Sequence, residues 1–287
     1  MVCNSMDKRR EWTKDDICAV VVSFQPDARL IDDLSSLLPQ VAACVVVDNG
    51  SSGSDVMDRV KALVDEGSKE RASLDVIELG ENRGIGAALN VGLSFCLDHG
   101  YGLLLTMDQD TVLAPDAVQA LLETMDRHDS PSVGMNWDRQ ITADSEVRYL
   151  ITSGNLVAAD VAAAIGGYDE QLFIDSVDFD FSLRLSDHGY RMFKSAGALA
   201  EHRLGEKQGD SSYVTHSVDR YYYIYRNHFY LIRKHRKNHR VFCAKKQCAL
   251  LLDMGKILCF DKDRKQKLQM LKKGYRDSRS FHLQEDN

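Results

Sequence analysis

The sequence contains no apolar run long enough to cross a membrane, and residues 1–16 are polar, without the apolar segment of a secretory signal. A cytoplasmic protein is therefore predicted. The seven cysteines are odd in number, include no Cys-x-x-Cys pair and lie mostly within apolar runs. This pattern is typical of reduced, buried thiols, since paired cysteines belong to oxidising compartments.

Acidic residues are missing from residues 220–252, a stretch with nine Lys or Arg and with six aromatic side chains between Tyr221 and Tyr230. From Glu201 onward 20 Lys and Arg oppose 10 Asp and Glu, whereas the first 200 residues carry 16 and 33. A basic tail on an acidic body predicts an anionic partner. A helix lying on anionic lipid fits this composition, and so does a solvated helix whose aromatic side chains pack inward. No nucleic-acid-binding motif accompanies the charge, so a nucleic acid is not predicted as a partner.

Three short apolar runs have the length and the β-branched content of buried strands. They span residues 17–24, 44–47 and 74–79. Pro26 ends the first run, and Asp48 follows the second directly. Parallel sheets bind nucleotides at the carboxyl ends of their strands, so Asp48 is placed to accept a hydrogen bond from a ribose hydroxyl or a base N–H. An acid that caps the following helix would give the same pattern.

Residues 103–111 organise the rest of the chain, because an apolar run ends there in two carboxylates, Asp108 and Asp110. The run predicts a strand buried on both faces, with the acids at its carboxyl end. Carboxylates at such an edge suit a hard divalent cation such as Mg²⁺, which also bonds substrate phosphate oxygens. The alternative is a solvated Asp-x-Asp turn without a metal.

Two glycines, Gly84 and Gly86, follow the third predicted strand and precede a helix with a small face. They permit close backbone approach to a ligand, and Arg83 is placed to meet a phosphate. The third glycine of the dinucleotide motif is missing, which disfavours a nicotinamide cofactor. A purely structural junction between loop and helix remains open.

Apolar residues at helical spacing predict further elements along the chain. The predicted helices cover residues 30–38, 56–63, 115–125 and 161–165. Residues 150–157 have strand character with a break at Ser153 and Gly154, and residues 130–147 lack a clear period, which predicts loop with short strands.

A second acidic cluster contains Asp178 and Asp180. A helix that starts near Ser176 would hold both acids in its first turn, where the positive helix end favours carboxylates. Arg184 lies four residues after Asp180, which predicts an ion pair that keeps this acid in a structural role. Asp178 is then left freer for chemistry, unless both acids only stabilise the helix.

Taken in order, these motifs resemble those of glycosyltransferase family 2, most closely its bacterial rhamnosyltransferase branch. The resemblance rests on residues 20–24, 47–51, 82–90, 107–110, 151–154 and 173–184, and it spans residues 17–205. His202 matches the position of a metal-ligating histidine in many relatives, although a lone histidine is more often a packing residue. Where the family commonly has Tyr-Asn-Pro after the first strand, this chain has Phe24-Gln25-Pro26.

The resemblance implies an α/β protein with the GT-A nucleotide-diphospho-sugar transferase fold, in which helices flank a mixed central sheet. Residues 15–205 would form the glycosyltransferase domain, and residues 206–287 a basic, helical C-terminal extension. The implied activity is inverting transfer of a sugar, L-rhamnose from dTDP-L-rhamnose, to a hydroxyl of a glycan or lipid-linked glycan in cell-surface polysaccharide biosynthesis, as in O-antigen or cell-wall assembly. The alternatives are another nucleotide sugar, such as a galactofuranose or hexose donor, and a non-catalytic sugar-nucleotide-binding scaffold.

The resemblance also assigns roles to residues. The donor nucleotide would be bound by Ser23, Asp48, Asn49, Arg83, Gly84, Asn90 and Asp108. A Mg²⁺ or Mn²⁺ ion would be held by Asp108, Asp110 and His202. The catalytic base would be Asp178, and the acceptor would contact Ser153, Gly154, Asp175 and Asp180. The basic extension would hold the enzyme peripherally at the inner face of the cytoplasmic membrane, beside a lipid-linked acceptor.

Overall fold

A mixed sheet forms the centre of the computed structural model, which describes residues 11–53, 55–65, 72–202, 218–261 and 263–283. Nine strands of the described residues contribute to it. In chain order they are β1 (Ile17–Ser23), β2 (Ala43–Asp48), β3 (Ser73–Glu78), β4 (Leu103–Asp108), β5 (Thr111–Leu113), β6 (Ser132–Asn136), β7 (Ser145–Val147), β8 (Asn155–Ala158) and β9 (Met192–His202).

One half of the sheet is parallel, with the strand order β3, β2, β1, β4. In the other half, β8 runs antiparallel to β4 and to β6, and β9 runs parallel to β6 but antiparallel to β5 and β7. The sheet is therefore mixed, as the resemblance implies.

Helices cover both faces of the sheet. In chain order the helices of the described residues are α1 (Arg29–Leu37), α2 (Asp55–Asp65), α3 (Ile85–Asp98), α4 (Ala117–His128), α5 (Ala159–Ala164), α6 (Val177–Asp187), α7 (Val218–His235), α8 (Arg240–Phe260) and α9 (Arg264–Ser278). Val21 and Val46 belong to the apolar cluster on one face, whereas Val20 and Val45 belong to the cluster on the other. This alternation follows from the two-residue period of a strand, and burial on both faces explains why β1 and β2 are nearly continuous apolar runs.

Most predicted elements are confirmed, with shifts at their ends. Strands β1 to β4 lie where the apolar runs predict them, and β6 and β7 are the short strands expected within residues 130–147. The strand predicted over residues 150–157, with a break at Ser153 and Gly154, is confirmed only after the break, since β8 begins at Asn155. Residues before it form a turn in which Gly154, with φ of 73°, donates its N–H to the Thr106 carbonyl at 2.7 Å.

The basic stretch forms α7 and part of α8, and α7 packs its aromatic side chains inward. Tyr221, Tyr225 and Tyr230 are buried, and Tyr230 joins the same apolar cluster as Val20 of β1. Inward aromatic packing, one of the two interpretations of this stretch, is thus confirmed for these three residues. The proposed division after residue 205 falls in a segment outside the described residues and stays a prediction. No helix within the described ranges is both long and apolar enough to span a membrane.

Candidate active site

The carboxyl ends of three neighbouring strands bring the first acidic residues together. In the register of the sheet, Ser23 of β1 lies opposite Asp48 of β2, and Val22 lies opposite Asp108 of β4. Parallel strands end at one edge of a sheet, so residues far apart in sequence meet there. The edge predicted from the apolar runs is therefore present.

Two cavities of about 440 Å³ each meet at this edge. The first, which we call the donor cavity after the role that the resemblance implies for its residues, is bordered by Val22, Phe24, Asn49, Asn82, Gly84, Ile85, Asp108, Gln109, Asp110, Phe173, Ile174 and Arg220. The second, which we call the acceptor cavity on the same basis, is bordered by Ile85, Asp108, Thr152, Ile174, Asp175, Ser176, Val177, Asp178, Phe179, Arg220, Ile224 and Lys246. Asp108 and Arg220 border both, so the two cavities form one cleft with acids along its length.

The wall of the donor cavity near Gly84 is built by side-chain amides. Asn49 donates from Nδ2 to Oδ1 of Asn82 at 3.1 Å, and its own Oδ1 accepts the N–H of Arg83 at 2.8 Å. Gly84 has φ of 88°, and a Cβ there would lie 2.7 Å from backbone atoms of Phe173. Glycine is required at this position because a side chain would collide with the opposite wall. The Arg83 side chain is exposed and does not border either cavity.

Ser23 and Asp48 reach the strand ends but are enclosed. The Ser23 hydroxyl is buried and lies 3.9 Å from the sulfur of Met57, and Asp48 is 4% exposed. One carboxylate oxygen of Asp48 accepts the N–H and the hydroxyl of Ser51, at 3.2 and 2.5 Å. Contact of these two residues with a base or a ribose therefore stays a prediction.

The loop of residues 173–176 joins the donor side of the cleft to the acceptor side. Phe173, Asp175 and Ser176 have φ values of 57°, 65° and 71°, a region that non-glycine residues rarely adopt. The Phe173 carbonyl accepts the N–H of Ile85 at 2.7 Å, which ties the loop to the start of α3. Backbone in this strained conformation persists only where surrounding contacts enforce it.

Helix α7 supplies those contacts through two buried polar residues. Asn227 donates from Nδ2 to the carbonyls of Leu172, Ile174 and Asp175 at 2.6, 2.6 and 2.8 Å. Arg226 donates to the Leu172 carbonyl at 3.0 Å and, through its Nε and Nη2, to Oδ1 of Asn227. Arg220, in the first turn of the same helix, pairs with the Asp175 carboxylate at 2.9 Å. Helix α7 thus fixes the loop that forms the middle of the cleft.

Asp178 lies in the first turn of α6 and borders the acceptor cavity. Burial raises the pKa of this carboxyl group, and the nearby Asp175 charge acts in the same direction. The N–H of Phe179 and the Lys246 ammonium oppose the rise without cancelling it. A carboxylate with a raised pKa beside a cavity has the properties of a general base.

Asp180 is only two residues away but has the opposite surroundings. It is fully buried, where it pairs with Arg184 at 2.8 Å, Lys234 at 2.8 Å and His235 at 2.9 Å. Burial alone would raise the pKa of Asp180, but these partners outweigh burial and hold the pKa well below its usual range. The predicted ion pair with Arg184 is confirmed. The expectation that Asp180 contacts an acceptor is corrected, because no face of this carboxylate reaches the cleft.

Three further expected ligand-binding residues are engaged in internal contacts. Ser153 is 3% exposed, and its hydroxyl bonds the N–H of Asp108 at 3.3 Å and the hydroxyl of Thr111 at 3.0 Å. Gly154 is buried in the turn before β8. Asn90 bonds the backbone of Tyr168 in both directions and also the Glu170 side chain. Ser153 supports Asp108 from behind, whereas Asn90 holds α3 to the segment that leads into the loop of residues 173–176.

The predicted metal ligand His202 lies at the end of β9, where its backbone pairs with Thr111, the residue after Asp110. Its side chain falls outside the described residues. Among described side chains, one trio of acid and imidazole groups is close enough to share an ion: Asp187, His235 and His239. Asp187 and His239 of this trio border another cavity at the far end of α6, and Asp187 already accepts hydrogen bonds from Asn238 and His239.

The sequence reasoning missed Gln109, Asn82, Arg220 and Lys246 as residues of the cleft. Gln109 bridges the backbone of Phe24, accepting its N–H at 2.8 Å and donating to its carbonyl at 3.2 Å. Its position inside Asp-x-Asp was a usable signal. Arg220 and Lys246 belong to the acid-free stretch of residues 220–252. The composition of that stretch predicts a positive charge but not where in the fold it lies.

Comparisons with known proteins agree with this arrangement. The model of glycosyl transferase family 2 matches residues 18–175, more than half of the chain. The dTDP-rhamnosyl transferase RfbF of Shigella flexneri is 26% identical over 247 residues, which cover 76% of this chain and 80% of that protein. Polyprenol monophosphomannose synthase of Mycolicibacterium smegmatis is 24% identical over 205 residues, which cover 63% of this chain and 74% of that protein.

Two solved structures share the fold at low sequence identity. GalNAc-T7 with UDP, GalNAc and Mn²⁺ has a TM-score of 0.62 at 13% identity, with 82% of this chain and 50% of that chain covered. S. aureus TarS 1–349 has a TM-score of 0.52 at 15% identity, with 91% of this chain and 71% of that chain covered. The chain thus spans half the length of the GalNAc-T7 chain, and both likenesses concern the fold alone. With its mixed sheet, its acidic cleft and the match over residues 18–175, the chain belongs to glycosyl transferase family 2 and has the GT-A fold.

Proposed function

We propose that the protein is an inverting glycosyltransferase that moves L-rhamnose from dTDP-L-rhamnose to a hydroxyl group of a glycan or lipid-linked glycan. The observation that carries the proposal is the continuous cleft, in which Asp108 and Asp110 border the donor cavity and Asp178 borders the adjoining acceptor cavity. A donor and an acceptor can meet there without leaving the cleft. The choice of rhamnose is supported by the similarity to a dTDP-rhamnosyl transferase.

A divalent cation fits the donor cavity. Its described lining offers carboxylate and amide oxygens, with no described imidazole or thiol, which is the chemistry that Mg²⁺ and Mn²⁺ prefer. Asp108 and Asp110 would hold the ion, and His202 would join them, since its backbone pairs with the residue after Asp110. When bound, the ion would neutralise charge on the diphosphate leaving group. Arg220 is the single cation among the described residues that border the donor cavity, and it would add a second positive charge there.

Asp178 would act as the base. It would accept the proton of the acceptor hydroxyl while that oxygen attacks the anomeric carbon of the sugar. The bond from this carbon to the diphosphate oxygen would break, and the nucleoside diphosphate would leave with the bonding electrons. One displacement of this kind inverts the configuration at the anomeric carbon.

The metal and base assignments are tested by two substitutions. Asp110→Asn should abolish transfer and also the Mg²⁺-dependent rise in melting temperature caused by dTDP, because an amide offers a neutral oxygen where the cation needs charge. Asp178→Asn should retain that rise and lose transfer, since only the base is removed. Equal metal-dependent shifts in Asp110→Asn and the parent protein would sink the first assignment, and transfer at the parent rate by Asp178→Asn would sink the second.

The donor is tested by a panel of nucleotide sugars. Release of nucleoside diphosphate should be fastest from dTDP-L-rhamnose, and slower from hexose and galactofuranose donors. A clear preference for one of the other sugars would replace rhamnose in the proposal while leaving the cleft chemistry intact.

We also propose that the C-terminal helices hold the enzyme at an anionic membrane surface. Two cations of the basic stretch are already engaged inside the protein, since Lys234 pairs with Asp169 and Asp180, and Arg233 donates to the Phe281 carbonyl at 2.5 Å. The outward side of α8 supports the proposal better. It exposes Val241, Leu251, Leu252 and Leu258 together with Lys245 and Lys256. Apolar side chains beside lysines on one helix side suit the headgroup region of anionic lipid.

Liposome sedimentation tests the membrane proposal. Binding should require anionic lipid, weaken at high salt as the Debye length shortens, and fall when Leu251 and Leu252 become Ser. A double substitution of Arg233 and Lys234 to Gln is expected to act mainly on folding, so it should not be used to judge lipid binding. Undiminished binding to neutral vesicles at high salt, or none to anionic vesicles, would refute the proposal.

A further inference from the structure

Lys246 reaches the acceptor cavity from the middle of α8, far along the chain from the residues that the family model covers. Its Nζ lies 3.8 Å above the centroid of the Phe179 ring and 5.7 Å from that of Phe242. Phe179 and Phe242 belong to an aromatic cluster completed by Tyr149, with ring centroids 5.2 to 5.8 Å apart. The ammonium group is thus fixed over an aromatic floor and directed at the cavity that Asp178 borders.

This placement is costly for the lysine. Burial lowers the pKa of Lys246, while the carboxylates of Asp178 and Asp175 act in the opposite direction. A methionine or leucine would fill the space above the aromatic cluster without desolvating a charge. The presence of a cation at this position therefore calls for a partner that benefits from it.

The charged groups around Asp178 identify that partner. Asp175 on the preceding loop raises the pKa of Asp178, but Arg220 of α7 is paired with that carboxylate. Asp108 of β4 borders the same cavity from the opposite wall. On the inner side of α6, the charge of Asp180 is compensated by Arg184, Lys234 and His235. The charge of Lys246 lowers the pKa of Asp178 and so favours its ionised form.

We propose that Lys246 is a positioning residue that keeps Asp178 ionised and aimed at the acceptor hydroxyl, so that the C-terminal helix α8 completes the catalytic base. The inference rests on the proposed function, in which Asp178 accepts the acceptor proton. Lys246 does not touch the reacting atoms in this role. It acts through its charge, held in place by Phe179, which is the residue next to the base in sequence.

The test compares Lys246→Met, Lys246→Arg and Lys14→Met. Lys14 is exposed just before β1 and borders neither cavity, so its substitution removes the same charge without touching the cleft. The readout is dTDP release from dTDP-L-rhamnose with water as the acceptor, measured from pH 4.5 to 8.5. In Lys246→Met the acidic limb of the pH profile should move to higher pH by about one unit, because loss of an adjacent opposite charge raises a carboxyl pKa. Lys246→Arg should restore the limb, and Lys14→Met should not move it.

A second readout does not depend on turnover. Carboxyl carbons of ¹³C-labelled aspartate are titrated by NMR, and the Asp178 signal is identified by its loss in Asp178→Asn. Its midpoint should rise in Lys246→Met relative to the parent protein. An unchanged midpoint, or a lower plateau of activity with an unchanged acidic limb, would overturn the inference. Full hydrolysis by Asp178→Asn would instead overturn the base assignment of the proposed function, and the NMR midpoint would still decide the role of Lys246.

Discussion

At the scale of single residues, Asp178 and Asp180 show how two acids in one helical turn take opposite roles. Helix geometry turns their side chains about 200° apart, so one faces the acceptor cavity and the other faces α7. Asp178 keeps a raised pKa because burial dominates its surroundings, whereas Asp180 has three cationic or imidazole partners that dominate. The same sequence motif therefore supplies one carboxylate that borders the cleft and one that joins α6 to α7.

Asp180→Asn should lower the free energy of unfolding by about 3 to 5 kcal/mol at pH 7, because it leaves the buried cations Arg184 and Lys234 without their shared counter-charge. Urea denaturation followed by circular dichroism measures this loss. Since the folded pKa of Asp180 is depressed, its contribution is complete above the unfolded value of about 4 and is lost as the pH falls further. The matched control is Asp126→Asn at an exposed position of α4, which should change stability by less than about 0.5 kcal/mol. A small effect at Asp180 would mean that Lys234 is compensated by Asp169 alone.

The sequence predicted the Asp180–Arg184 pair because both residues lie on one helix, where a spacing of four brings side chains together. It could not predict Lys234 or His235 as partners, since these lie more than 50 residues later and meet Asp180 only through the packing of α7. For the same reason Asp180 was expected to reach the acceptor. A carboxylate can be assigned to a cleft or to the interior only after the element that covers it is known.

At the scale of elements, α7 and the loop of residues 173–176 form one structural unit. The loop holds three residues with left-handed backbone, each of which costs on the order of 1 to 3 kcal/mol. Asn227 donates to the carbonyls of Ile174 and Asp175 in the loop and to that of Leu172 just before it. The geometry of the loop therefore depends on α7. Asp175 and the start of α6 depend on this unit for their positions.

Asn227→Asp should lower the unfolding free energy by about 2 to 3 kcal/mol, because a carboxylate oxygen would face carbonyl oxygens that now accept an N–H. Transfer should fall by a larger factor than stability alone explains, since the loop carries Asp175 and leads into Asp178. Chemical denaturation and initial rates under folded conditions separate the two effects. Gln269→Glu adds the same charge at an exposed position of α9 and should leave both unchanged. Parent-like rates in folded Asn227→Asp would show that the loop does not position the base.

Individual strands and helices were largely predictable, because their buried faces leave a period of two or of 3.6 residues in the sequence. The turn before β8 was not, since Ile151 and Leu150 are apolar although the backbone there bends to reach Thr106. The loop of residues 173–176 was also hidden. Its left-handed residues are Phe, Asp and Ser rather than glycine, so composition gave no sign of the conformation.

At the scale of the whole molecule, buried histidine should make stability depend on pH above the range in which carboxylates titrate. His228 is 8% exposed, and burial lowers its pKa to about 4. Within the described structure its Nε2 has no hydrogen-bond partner, which disfavours protonation further. An unfolded histidine titrates near 6.5, so the unfolded chain binds the proton first as the pH falls.

The free energy of unfolding should therefore decrease between pH 6.5 and pH 4, by up to about 3 kcal/mol from this residue. His228→Phe should remove this part of the decrease and keep the packing against Phe229. Denaturant midpoints at pH 7 and pH 5 measure the difference, with His99→Gln at an exposed position as the control. An equally steep pH dependence in His228→Phe would assign the loss to other groups.

The dependence of the cleft on α7 has a consequence for the order in which the protein is made. The residues of the family match, 18–175, leave the ribosome before α7, and the loop at their end cannot hold its left-handed backbone until Asn227 has emerged and docked. A nascent chain therefore carries Asp108 and Asp110 while Asp178, the base of the proposed mechanism, is still unplaced. On the proposed function, transfer would begin with a late folding step, when α7 locks a loop that was synthesised about fifty residues earlier.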